Sequence, residues 1–231
     1  MAGAAQRRGQ VDRFPARLEE RHDTVRAALP GTIQHWSLNL NPPHTRNSGY
    51  LRTYHLILNP DVDLEREALT RALEFFDRHP DLGLLAPCVS DGDDAVQYLC
   101  RRYPTLVDLF ARGFLPARLR FPFRRRLARY EMRDVINDHD IVWDPPIVSG
   151  CFMLFRTEVL KKLGGFDPRY FLYFEDYDLS LRTHDVARVA YVPAVRVIHH
   201  GGGASRKGFA HIRMFAASAF KFFNRFGWRL W

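Results

Sequence analysis

The sequence predicts an α/β domain built on a mixed, mostly parallel sheet flanked by helices. Three observations carry this. The chain has 231 residues, 46% apolar and 13% aromatic, which is enough for a sizeable core and too apolar for a disordered protein. Short apolar runs stop at turn residues, as buried strands do. Between them lie segments with apolar residues at the helical period, the strand and helix alternation of a two-sided sheet.

In chain order, Met1–Pro30 is Arg- and Ala-rich, with Phe14–Leu29 its one helix candidate, and Ile33–Tyr50 has Asn, Pro and Ser in loop proportions. Tyr54–Leu58 (YHLIL) reads as a buried strand stopped at Asn59-Pro60. Leu64–His79 has apolar residues at 64, 68, 69, 72, 73, 75 and 76, a helical spacing closed by Pro80. Leu82–Pro87 is a second strand. Ile147–Phe155 is a third, interrupted at Ser149-Gly150. Thr157 is expected to cap a short helix ended by Gly164-Gly165. Glu175–Thr183 reads as a helix with acids in its first turn, and Ala187–Pro193 and Val195–His199 as two strands.

Composition excludes several classes. Three cysteines without a C-x-x-C pair argue against a disulfide scaffold or thiolate zinc site and fit a reducing cytoplasm. No apolar run reaches the roughly 18 residues a membrane span needs, and residues 1–30 lack the apolar stretch of a secretory signal. The net charge is +8, from 34 basic and 26 acidic residues. Arg101–Arg133 holds ten arginines against Asp108 and Glu131, so this block carries the whole excess and the remainder balances at 24 to 24. Pro104, Pro116 and Pro122 forbid one continuous helix there. Short Arg- and Phe-rich amphipathic pieces suit an anionic membrane surface; a solvated loop is the plainer reading. Nucleic acid is not expected, because no binding module accompanies the charge.

Three motifs bear on chemistry. Asn59-Pro60-Asp61-Val62-Asp63 follows a strand, at the edge where open α/β sheets bind ligands. Two carboxylates so spaced can hold a hard cation and through it a diphosphate; equally, Asp63 can cap the next helix. In Phe171–Leu179, Glu175, Asp176 and Asp178 follow an aromatic run. Apolar surroundings can raise a carboxyl toward general-base duty, or the acids can simply complement a helix dipole. His199-His200-Gly201-Gly202-Gly203 ends a strand, where imidazole can join a metal site or the glycines form a plain loop. The run matches neither dinucleotide nor P-loop glycine patterns.

Tyr54–Asp63, Val148–Arg156, Gly164–Leu181 and Tyr191–Ser205, taken in this order, resemble the family 2 glycosyltransferases of bacterial cell-surface polysaccharide synthesis, especially the rhamnosyltransferase-like branch. The resemblance covers about residues 47–231, including the aromatic end Phe220–Trp231. It implies a GT-A fold and inverting sugar transfer from a nucleotide-diphosphate sugar to a lipid-linked or polysaccharide acceptor. By position, Asp61 would bind a divalent cation (Mg2+ or Mn2+) and diphosphate, with Asp63 in support and His199 or His200 approaching them. Asp176, paired with Glu175, would be the general base. Ser149, Gly150, Gly165, Phe166, Asp167 and Trp143 would lie on the acceptor side. The expected place is the cytoplasm, peripheral at the inner face of the cell membrane through Arg101–Arg133. Such enzymes open with a strand–helix–strand nucleotide-binding unit, which Met1–Tyr50 does not resemble; Asn47–Tyr50 echoes only the segment before the first motif. The expectation is an atypical or disordered segment over 1–46, a glycosyltransferase-like domain over 47–231, and, as the alternative function, a non-catalytic remnant without a complete donor site.

Overall fold

The computed structural model describes residues 36–40, 53–93, 95–200 and 209–231. Seven strands make one sheet: β1 (Trp36–Leu40), β2 (Tyr54–Leu58), β3 (Val62–Leu64), β4 (Leu82–Ser90), β5 (Val142–Trp143), β6 (Phe152–Arg156) and β7 (Arg188–His199). Their order is β1-β2-β6-β4-β7-β3, with β5 also pairing β7. The helices among the described residues are α1 (Ala68–Arg78), α2 (Leu106–Gly113), α3 (Arg124–Tyr130), α4 (Thr157–Leu163), α5 (Glu175–Thr183) and α6 (Phe209–Phe226), with a 3-10 segment at Ala117–Phe123.

The sheet is mixed and helix-flanked, as expected, but its parallel part is confined among the described strands to β4–β7. The other pairings are antiparallel. Strand and helix alternation implies a parallel neighbour only when the next strand docks beside the last one. Here β6 enters between β2 and β4, antiparallel to both.

Side-chain alternation along β4 divides the core. Leu82, Leu85 and Val89 face one cluster, with Leu56, Leu58 and Phe76, while Leu84, Ala86 and Cys88 face another, with Phe155, Leu179 and Tyr191. Helix α1 covers the first cluster with Ala68, Ala72, Phe75 and Phe76, one stripe of the helical period. Gly83 sits where a Cβ would come within 2.4 Å of Ala187 Cβ, so the approach of β4 to the turn before β7 needs a glycine. A third cluster is nearly all aromatic. Phe222 and Phe223 of α6 pack with Phe174, Tyr130 and Tyr170, fixing α6 across α3 and the start of α5.

The structure changes several expectations. Trp36–Leu40, in a stretch of loop-like composition, forms β1, an edge strand whose sequence WSLNL alternates apolar and polar. The rest of the expected atypical segment 1–46, including the Phe14–Leu29 helix candidate, lies outside the described residues, as does Asn47–Tyr50. Asp63 caps no helix: it lies in β3, opposite Ile198, and α1 starts beyond Glu67. Thr157 is not a cap either. It is the first residue of α4, and its buried hydroxyl has no hydrogen-bond partner among the described residues. Gly164 and Gly165 do end α4, at φ of 72° and 71°. The two strands expected on either side of Pro193 are one strand, β7, whose register against β4 jumps between Val192 and Arg196.

The basic block is a folded helical layer. Its prolines do prevent a single helix: α2, the 3-10 segment and α3 share it. Asp108 is an N-cap partner as well as an ion-pair acceptor. Its Oδ2 accepts from Thr105 N and Oγ1, its own N–H returns to Thr105 Oγ1, and Arg126 Nε reaches its Oδ1 at 2.7 Å. No helix among the described residues is long and apolar enough to cross a membrane.

Candidate active site

The site gathers at the ends of β2, β6 and β7. Asn59 N–H donates to Cys151 O at 2.9 Å, holding the turn after β2 against the segment before β6. Strand β3 then leaves that turn along β7, with Val62 opposite His199. This register sorts the two histidines. His199 Nε2 lies 3.5 Å from Asp61 Oδ1, whereas His200 Nε2 is 2.8 Å from Asp63 Oδ2. His200 N–H also donates to Asp61 O at 2.9 Å. His199 is therefore the Asp61 partner, and His200 the Asp63 partner.

Gln97 orients His199. Its amide nitrogen donates to His199 O at 3.0 Å, and its Oε1 stands 3.2 Å from His199 Nδ1. Because an amide oxygen only accepts, this contact calls for a proton on Nδ1 and makes Nε2 the nitrogen turned toward Asp61. A ring anchored this way through its far nitrogen is prepared for a cation.

Across Cys151 stand the other carboxylates. Gly150 N–H donates to Asp176 Oδ2 at 3.0 Å, and Tyr177 N–H to Asp176 Oδ1 at 2.9 Å. Burial nonetheless raises the Asp176 carboxyl above its ordinary value, with the two N–H donors opposing the rise. Burial first, and then the charge of Asp176, push Glu175 up to about 8. Glu175 Oε2 is buried without a hydrogen-bond partner among the described residues. Donors on one carboxylate and none on that oxygen of the other divide the pair: Asp176 ionises first and Glu175 keeps its proton. The Cys151 thiol feels the carboxylates of both motifs. Burial pushes it up to about 11, and the charges of Asp176 and Asp61 both add to the rise.

The turn that aims Glu175 and Asp176 is strained. Tyr173 and Phe174 adopt consecutive left-handed conformations, φ of 67° and 66°, at the entry to α5. Such residues cost on the order of 1–3 kcal/mol each and persist only where packing holds them. Here Phe174 is buried against Phe215, Phe222 and Tyr177.

The expected acceptor-side residues divide. Ser149 and Gly150 adjoin Asp176, with Ser149 Oγ accepting from Cys151 N at 3.3 Å. Gly165 and Phe166 belong to the link from α4 to α5, where Arg182 donates to Gly165 O and Phe166 packs on the second core cluster. Asp167 is committed to ion pairs with Arg169 and Arg225, and the Arg169 hydrogen bonds hold its carboxyl well below the usual range. Arg225 also reaches the fully buried Asp178 at 2.8 Å, and Arg182 meets the same carboxylate at 2.6 Å. Trp143 is not with the others. It pairs with Ala190 at the opposite end of β7 from His199 and packs by Phe75 and His79 under Arg188. Gly201–Ser205 lie outside the described residues.

Two residues escape sequence reasoning. Gln97 belongs to no motif. Arg101 groups by sequence with the basic block, yet it is buried, bound to the carbonyls of Tyr98 and Cys100, and its charge lowers both Asp176 and Glu131. Only its position beside the apolar 96–100 stretch hints at burial.

Among the described residues no three His, Cys, Asp or Glu side chains converge into a complete metal cage. Asp61 and His199 supply one carboxylate oxygen and one free imidazole nitrogen, an open donor set of the kind that hard cations complete with substrate phosphates and water.

A family model described as "Glycosyltransferase like family 2" matches residues 60–219. The N-acetylglucosaminyl-diphospho-decaprenol L-rhamnosyltransferase of Mycobacterium tuberculosis (strain CDC 1551 / Oshkosh) is 33% identical over 150 residues, 63% of this chain and 46% of that protein. The rhamnosyltransferase WbbL of Escherichia coli (strain K12) is 26% identical over 175 residues, 74% of this chain and 62% of that protein. The chain thus spans about half the length of the curated relatives it matches.

Proposed function

The chain belongs to the family 2 glycosyltransferases, and on that premise we propose that it transfers a sugar, rhamnose the first choice, from a nucleoside-diphosphate donor to a lipid-linked acceptor with inversion. The carrying observation is that two carboxylates are tied to the start of one strand: the turn that holds Asp61 bonds Cys151 O through Asn59 N–H, and Gly150 N–H donates to Asp176. Inverting transfer needs such an arrangement: one group for the leaving diphosphate and another for the attacking hydroxyl on the opposite face.

Asp176 takes the proton from the acceptor hydroxyl as that oxygen bonds to the anomeric carbon. The bond from that carbon to the diphosphate oxygen breaks, and the electron pair leaves with the nucleoside diphosphate. Gly150 and Tyr177 N–H hold the Asp176 carboxylate in one orientation. Glu175, holding its proton, adds no second negative charge beside the base. Asp61 and His199 would hold a divalent cation, with Asp63 fixed by His200 as support; when bound, such a cation offsets charge on the leaving diphosphate. Gln97 keeps the His199 ring in register. The matched mycobacterial relative is named for an acceptor built on diphospho-decaprenol, and an acceptor of that kind favours work at the inner face of the cell membrane. The exposed Phe110, Phe114, Leu119 and Phe121, interleaved with arginines, support such a contact.

The test is transfer from nucleoside-diphosphate rhamnose to an N-acetylglucosaminyl-diphospho-polyprenol, read by product mass. Asp176→Asn is expected to lower kcat by about 10²–10⁴ with folding retained. Equal rates for Asp176→Asn and the parent protein would overturn the assignment of the base, and no transfer by either would overturn the activity.

A further inference from the structure

Behind the turn that carries Glu175 and Asp176 lies a cavity of about 360 Å³ between α2, α3 and the 227–231 segment. Arg102, Arg126, Arg129 and Arg229 line it, with Tyr103 and Trp231 as aromatic walls. Asp108 neutralises Arg126, and Asp134 takes Arg102 in a two-bond fork at 2.8 and 2.6 Å. Four arginines against two carboxylates leave +2. The surplus sits on Arg129 and Arg229, which have no hydrogen-bonded carboxylate among the described residues. Each is exposed, and the Arg229 guanidinium carbon stands over the Tyr103 ring, 4.2 Å from its centroid. Arg126 lies likewise on Trp231 at 4.4 Å. Arg126 spends its N–H groups on Asp108 and Thr105, whereas the Arg229 guanidinium, with no carboxylate partner among the described residues, is left to offer its N–H edge to a multidentate anion.

We propose that this cavity is a binding site for a diphosphate group, separate from the Asp61 side. Its size suits a small ligand, and its charge matches a phosphate-class dianion. Tyr130, on the cavity wall, hydrogen-bonds Tyr177 at 2.7 Å, and Tyr177 directly follows Asp176. The Tyr130–Tyr177 pair thus ties the cavity wall to the helix turn that carries Asp176. The exposed Phe110 on α2 and Phe114 just beyond it, stacked at 5.9 Å, offer an apolar flank to the same helix that supplies Asp108. Anion and apolar chain on one ligand describe a diphospho-lipid. That identity of the carrier rests on the transferase reading; the anion site does not.

Calorimetry with inorganic pyrophosphate in EDTA tests the site, because chelation silences cation-dependent binding at Asp61. The unmodified protein is expected to bind, and binding to weaken about tenfold for each arginine removed in Arg129→Gln and Arg229→Gln. The paired lysine substitutions should restore some of it, and Asp61→Asn should leave it unchanged. Flotation on phosphatidylcholine vesicles, with and without phosphatidylglycerol, separates the sources. If the double glutamine variant loses pyrophosphate alone, the site serves a diphosphate; if it also loses the anionic vesicles, the site serves headgroup phosphate too. No pyrophosphate binding by the unmodified protein, equal binding by the double variant, or loss in Asp61→Asn would each overturn the proposal. Binding of this kind without sugar transfer would keep the site and remove the transferase reading.

Discussion

Replacing Glu175 with glutamine should remove a loss of stability that grows as pH rises. Burial, with the Asp176 charge beside it, lifts the Glu175 carboxyl to about 8 from an ordinary value of 4.5. Between those values the folded chain keeps a proton that the unfolded chain has released. Stability from this group is therefore fully present below the ordinary value and declines as pH rises through about 8. Three and a half pKa units at 1.36 kcal/mol each set a ceiling of about 5 kcal/mol; coupling to Asp176 shares that rise, so about 2–4 kcal/mol is the working figure. Glutamine has the same shape and never ionises. Near pH 5 the two proteins should unfold at nearly the same urea concentration, because a protonated acid and an amide are equivalent at an oxygen that has no partner. Near pH 9 the Glu175→Gln protein should be the more stable by that working figure. Urea unfolding at the two pH values, followed by Trp fluorescence, measures the difference. Parallel pH curves for the two proteins would refute the burial of a protonated Glu175.

Three further outcomes are expected. Arg101→Gln removes a buried positive charge that lowers Asp176, so the acidic limb of the pH–rate profile should move to higher pH; an unmoved limb would separate Arg101 from the site. Gly83→Ala forces a Cβ to within 2.4 Å of Ala187 Cβ and should cost about 1–3 kcal/mol of unfolding free energy by denaturant titration. Phe222→Ala empties the centre of the aromatic cluster under α6, costing about 3–5 kcal/mol, and should loosen Phe174 enough to show as faster amide exchange at Glu175 and Asp176.

Much of the site is legible in the sequence. Asp61 and Asp176 each follow an apolar run that ends at a turn, so chemistry-bearing residues at strand and helix ends are visible as such. The α4 stop at Gly164-Gly165 is visible for the same local reason: glycine adopts the left-handed conformation without the steric cost other residues carry. Thr157 misleads because a threonine before a helical period looks like a cap, while β6 runs straight into α4 and leaves no capping position for it. Helix α6 escapes notice because its stripe of Phe215, Ala219, Phe222, Phe223 and Phe226 is carried by phenylalanines, which fit strands as readily as helices.

The fold class illustrates the division between sequence and tertiary structure. Local patterning marked β2, β4, β6, α1, α4 and α5, and where the acids and histidines stand along the chain, because periodicity and turn chemistry act over a few residues. It could not determine which strand lies beside which. Only the insertion of β6 between β2 and β4 sets Cys151 beside Asn59, and so brings Asp61 and Asp176 to one place. Only the register of β3 on β7 assigns His199 to Asp61 and His200 to Asp63. A shift of one residue would turn each of these side chains to the other face of the sheet. The basic block shows the same limit. Its ten arginines are countable in the sequence, but packing alone buried Arg101 near the carboxylates, paired Arg102 and Arg126, and brought Arg129 to a cavity shared with the distant Arg229. Charge is a property of composition, and what a charge meets is a property of the fold.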